Sequence, residues 1–240
     1  MVLSPLLNSN SLIRSALPLS APEGITDVLC TFAHDLTLAA VPDPVKQRVK
    51  HILLDGFGSA LVSAPLSWSL TATNAVFALD GSATGPCSLI GRPTTEHVSA
   101  TSACLLNSAY VQGFELDDFH RTAPVHGCAL VIPALLAAAE LLANPPAGSG
   151  SVPVKVTGQD ILLAAIVGFE IGPRIGLGLG GQDILARGWH SGAVFGGTAV
   201  ALVIGKMMGL GLRQMEWAVG LATTQSCGLM SAQFGSMAKR

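Results

Sequence analysis

Residues 129–143 and 192–205 are apolar on nearly every side of a helix, and this limits the possible folds more than any other feature of the chain. A helix with one apolar stripe can lie on a surface. A helix that is apolar all round must be covered by other helices or by lipid. Pro133 and Glu140 interrupt the first run, and the second is rich in glycine. Neither reaches the ~18 uncharged residues of a spanning helix, so no membrane span is expected. Aromatic residues make up only 5% of the 240 residues while half are apolar, so the expected core is close aliphatic helix packing.

The rest of the chain reads as further helices. Residues 1–22 hold Ser, Leu, Pro and Asn with one Arg and no acid, and are expected to form a disordered tail. Residues 23–240 are expected to form one helical domain. Val28, Leu29, Phe32, Ala33 and Leu36 fall on one helical face. A second helix over 44–62 turns Val45, Val49, Ile52, Leu53 and Phe57 inward, and Lys46, Arg48 and Lys50 outward. A third covers about 67–79. A turn-rich stretch with a short extended piece at 87–90 follows. A fourth helix is expected from about 95 towards 118. Later helices start near His126, at the Thr157–Asp160 start signal, at GWHSG and at Leu212. Strands are nearly absent, so the fold class is all-α.

Charge is scarce in this chain, and ELDDFHRTAPVH, residues 115–126, holds a dense cluster of it. Three carboxylates, two histidines and an arginine in an apolar scaffold cost desolvation energy unless they pair or bind something. If the fourth helix reaches Asp118, then Glu115 and Asp118 share a face at i,i+3. Pro124 blocks simple continuation, and His126 falls at the start of the next helix. Free amides and the helix dipole there suit an anion. His190 in GWHSG precedes a second helix in the same way. Two such helix starts suit a di- or tricarboxylate. The plainer alternative for each histidine is a capping role.

Several classes are disfavoured. A net charge of −2 without a basic block argues against nucleic acid. Five cysteines stand singly, which suggests reduced thiols and no structural zinc. GLGLGG at 176–181 follows a helix, not a strand, and so makes a poor phosphate loop. Asp117, Asp118, His120 and His126 match no standard metal-site spacing. No cofactor and no metal are expected. The expected compartment is the cytoplasm, with a mitochondrial location as the alternative suggested by the acid-free first residues.

ELDDFHRTAPVHG, GFEIGPRIG, GWHSGAVFG and CGLMSAQFGSMAKR, in that order, resemble the MmgE/PrpD family over about residues 25–240. The resemblance implies a cofactor-free lyase, commonly a homodimer, with an all-helical domain and a smaller α+β lid. It implies site residues at Glu115 (where many members have Asp), His126, His190 and Lys239. Asp118 joins Glu115 as a candidate to orient a histidine. Within the family the motifs point to decarboxylation of cis-aconitate or a related small carboxylate. The alternatives are dehydration of 2-methylcitrate or an alkylcitrate, and a catalytically inactive truncated member. Family chains are longer, so a truncated helical domain without the lid is expected.

Overall fold

The computed structural model describes residues 24–81, 85–146 and 148–231. The tail expected over 1–22 and the candidate Lys239 lie outside these residues. Among the described residues the chain forms α1 (Ile25–Asp35), a 3-10 turn (Leu38–Ala40), α2 (Asp43–Ser63), α3 (Ser67–Asp80), β1 (Cys87–Ser88), β2 (His97–Val98) and α4 (Ala100–Val111). It continues with α5 (Gly127–Ala143), α6 (Gly158–Gly178), the short α7 (Asp183–Ala186), α8 (Ser191–Met207) and α9 (Leu212–Thr223). β1 and β2 pair antiparallel, Cys87 opposite Val98. The all-α reading holds.

The all-round apolarity of α5 follows from its place: it packs on α2, α4, α6 and α8. Ile132 and Leu135 are almost completely enclosed, each contributing ~1.5–3 kcal/mol of burial. Gly168 of α6 lets three helices close up, because a Cβ there would lie 2.6 Å from Val203 and 2.7 Å from Val131. Pro133 does not break α5. Its missing N–H leaves the Ala129 carbonyl without its helical donor, and Ser108 Oγ donates to that carbonyl at 2.7 Å. The Thr157–Asp160 start signal is a capping box in the structure. α6 is long and apolar enough to cross a membrane by length and composition, and half of that stretch is buried inside this fold.

Three expectations are corrected. On α2, Val45 is exposed and not turned inward. On α1, Cys30 and Ala33 are buried, with Leu29 and Leu36 packed beside them, whereas Val28 and Phe32 are exposed. The buried face is set by contact with α8 and α9, which takes a narrower stripe than the apolar pattern offers. The fourth helix is shorter than expected. It starts after Ser99, whose Oγ accepts the Ser102 N–H at 3.1 Å. It stops at Val111, and Glu115 adopts φ +57°, a left-handed conformation that ends right-handed helix. Glu115 and Asp118 therefore do not share a helical face.

Candidate active site

The residues between α4 and α5 fold back on themselves. The His120 N–H donates to the Val125 carbonyl at 2.9 Å. The Ala123 N–H donates to His120 Nδ1 at 3.1 Å, and Gln182 Nε2 donates to the Arg121 carbonyl at 2.9 Å. Pinned in this way, the loop sends its neighbouring aspartates to different tasks. Asp118 accepts the Cys128 N–H at 2.6 Å and the Gly127 N–H at 3.3 Å. It is the cap of α5. The anion expected at this helix start is thus supplied by the chain itself, and not left for a substrate.

Asp117 turns the other way. Its side chain is 0% exposed, and its Oδ1 lies 3.1 Å from His126 Nδ1. Its Oδ2 is buried with no hydrogen-bond partner among the described residues. Burial pushes the Asp117 carboxyl above its ordinary range, and the bond to His126 opposes that shift. Phe119 packs its ring 5.0 Å from the His126 ring, centroid to centroid. Asp117 is thus a carboxylate placed against His126, while Asp118 is spent on the α5 amides.

The second helix start is built differently. His190 precedes α8, and its own ring caps the helix: the Ala193 N–H donates to Nδ1 at 3.4 Å. Backbone bonds hold this turn to the chain after α9. The His190 N–H donates to the Gly228 carbonyl at 3.1 Å, and the Met230 N–H to the Gly188 carbonyl at 2.8 Å.

Both starts open onto one cavity of about 490 Å³, within the range of small-molecule sites. Glu115, Asp117, His126 and His190 line it, together with Phe119 and the first turn of α8, Ser191–Ala193. The fold thus brings together three of the five sequence candidates, Glu115, His126 and His190. Asp118 lines a neighbouring cavity and serves α5, and Lys239 lies outside the described residues. No Lys or Arg among the described residues lines the His126–His190 cavity. Asp117 was missed because a DD pair does not reveal which carboxylate turns inward.

As for metals, Asp118 is occupied as a cap and His120 Nδ1 by a backbone N–H. Among the described residues, no three His, Cys, Asp or Glu side chains converge as a metal would require. GLGLGG lies where α6 ends, with Gly180 and Gly181 at φ +98° and +59°. That is the carbonyl end of a helix, unsuited to phosphate.

The model of the MmgE/PrpD N-terminal domain matches residues 27–240. Cis-aconitate decarboxylase of Aspergillus terreus is 43% identical over 221 residues, covering 92% of this chain and 43% of that protein. Cis-aconitate decarboxylase-like protein oryM of Aspergillus oryzae is 43% identical over 222 residues, 92% of this chain and 44% of its own. Human cis-aconitate decarboxylase is 25% identical over 206 residues, 85% and 40%. The chain spans about two-fifths of the length of these curated relatives. A helical fold with two histidine-bearing helix starts on one cavity, matched by the family's N-terminal model over residues 27–240, belongs to the MmgE/PrpD family.

Proposed function

We propose that this chain forms the histidine-bearing part of a lyase for a small di- or tricarboxylic acid, one that decarboxylates cis-aconitate to itaconate. The observation that carries the reading is the meeting of His126 and His190 on one cavity, in a chain 43% identical to a fungal cis-aconitate decarboxylase. The reaction needs one proton. A C–C bond to a carboxylate breaks, its electron pair forms a new C=C, and the former alkene carbon is protonated as CO2 leaves. The trianion and one proton thus become a dianion and CO2. A histidine lining the cavity is suited to that general-acid step. The N–H groups in the first turn of α8 are suited to one substrate carboxylate. Glu115 and Asp117 are acidic, so an anionic substrate calls for a cation from elsewhere, and Lys239 is proposed for that role. A homodimer is proposed as the working state.

The test is incubation of the complete polypeptide that carries this sequence with cis-aconitate, followed by NMR of the products and measurement of released CO2. Itaconate and CO2 in equal amounts support the reading. Failure to consume cis-aconitate, together with dehydration of 2-methylcitrate, would replace it.

A further inference from the structure

The two histidines on the cavity have opposite partners on the same ring atom. His126 Nδ1 faces a carboxylate oxygen, Asp117 Oδ1, at 3.1 Å. An ionised carboxylate only accepts, so Nδ1 must carry a proton. His190 Nδ1 faces a backbone N–H, that of Ala193, at 3.4 Å. A backbone N–H only donates, so this Nδ1 must be bare. We propose that Asp117 is a positioning residue that fixes a proton on Nδ1 of His126, making His126 and His190 opposite tautomers with different roles in the proposed lyase reaction.

In its neutral form His126 then has a bare Nε2. Only as imidazolium does it carry a transferable proton there, and the Asp117 carboxylate balances that charge. After the proton moves to the substrate carbon, neutral His126 remains with Nδ1–H still bonded to Asp117, so the ring need not turn. Neutral His190, with Nδ1 accepting from Ala193, carries its proton on Nε2. A proton on its Nδ1 would end the cap and set a cation on the positive end of α8. His126 is therefore the general acid, and His190 the cap of α8. Among the described residues, the titratable groups that line this cavity with His126 are Glu115 and Asp117 from the preceding loop and His190 before α8, with Asp118 facing the neighbouring cavity. The enclosure of Asp117 fits a positioning task. Its side chain is 0% exposed, so the bond that holds the ring is made from a water-shielded carboxylate.

The assignment of roles rests on the proposed lyase reading, but the tautomers do not. The test uses the complete polypeptide labelled with 15N-histidine, without substrate. Two-bond proton–nitrogen spectra, assigned with His126→Gln and His190→Gln, report which nitrogen of each ring bears hydrogen. The expected result is Nδ1–H for His126 and Nε2–H for His190. In Asp117→Asn the His126 proton is expected to redistribute towards Nε2. In the same variant kcat on cis-aconitate should fall ~100-fold or more, with KM little changed. A wild-type His126 with bare Nδ1 would overturn the proposal, and so would an Asp117→Asn protein with wild-type kcat. Opposite tautomers without turnover of cis-aconitate would uphold the positioning by Asp117 and overturn the substrate reading instead.

Discussion

The starts of α5 and α8 look alike in sequence, each a histidine followed by small residues, yet they solve the same problem in opposite ways. Both helices begin with backbone N–H groups that need acceptors. At α5 the acceptor comes from outside the helix: Asp118 takes the Gly127 and Cys128 amides. This leaves the His126 ring to pair with Asp117. At α8 the His190 ring is itself the cap, accepting the Ala193 amide. A histidine at a helix start can thus be a cap or a chemical group, depending on whether the preceding loop brings an acid to the amides. Here one loop supplies two acids in a row and separates the two tasks.

The largest effects should come from removing either ring. In the complete polypeptide, His126→Ala and His190→Ala are each expected to cut turnover of cis-aconitate at least ~100-fold. His34→Ala should not, because His34 lies on α1 with Asp35 as its partner. Equal losses in all three would mean that the comparison reports stability and not chemistry.

Steric differences between the two starts should be visible in unfolding. A Cβ on Gly127 would lie 2.7 Å from the Phe169 ring and 3.0 Å from Asp118 Oδ2. Gly127→Ala is therefore expected to destabilise by ~1–3 kcal/mol. A Cβ on Gly192 meets nothing closer than His190 Cε1 at 3.5 Å. Gly192→Ala should leave stability unchanged or raise it by under ~1 kcal/mol, while narrowing the cavity that Gly192 lines. Urea titrations of both variants, with substrate KM for the second, check the pair.

A smaller change is expected from the cap itself. Asp118→Ala should cost ~1 kcal/mol, the usual scale for a lost N-cap, and Asp118→Asn less, since its amide oxygen can still accept. No loss in chemical denaturation with Asp118→Ala would mean that α5 does not depend on this acid.

The smallest effect concerns pH. Burial raises the folded-state pKa of Asp117 above its unfolded value. Between these two values the folded chain binds the extra proton, so stability falls as pH rises. The contribution is fully present below the unfolded value of ~3.9 and is lost as pH passes the folded one. Asp117→Asn lacks this titration. Its Tm relative to wild type should rise from acid towards neutral pH. The reverse trend would show that pairing with His126 outweighs burial.

The sequence alone was enough to give the helical class, the starts of α5, α6 and α8, and the positions of His126 and His190. All of these are local: all-round apolarity, proline and capping patterns act within a few residues. The same local signals extended α4 too far: the helix ends at Val111, and left-handed Glu115 keeps it from resuming towards Asp118. Nearby Gly113 packs so closely on α2 that a Cβ would sit 2.1 Å from Ser63 Oγ, a contact that no pattern within the helix announces. Periodicity also could not say that Val28 and Phe32 would face outward, since burial of α1 depends on which helices it meets. Nor could it tell Asp117 from Asp118. Adjacent side chains in a loop have no fixed phase, so only the folded loop, tied at His120–Val125 and Arg121–Gln182, decides which carboxylate reaches a helix start and which is enclosed against a histidine.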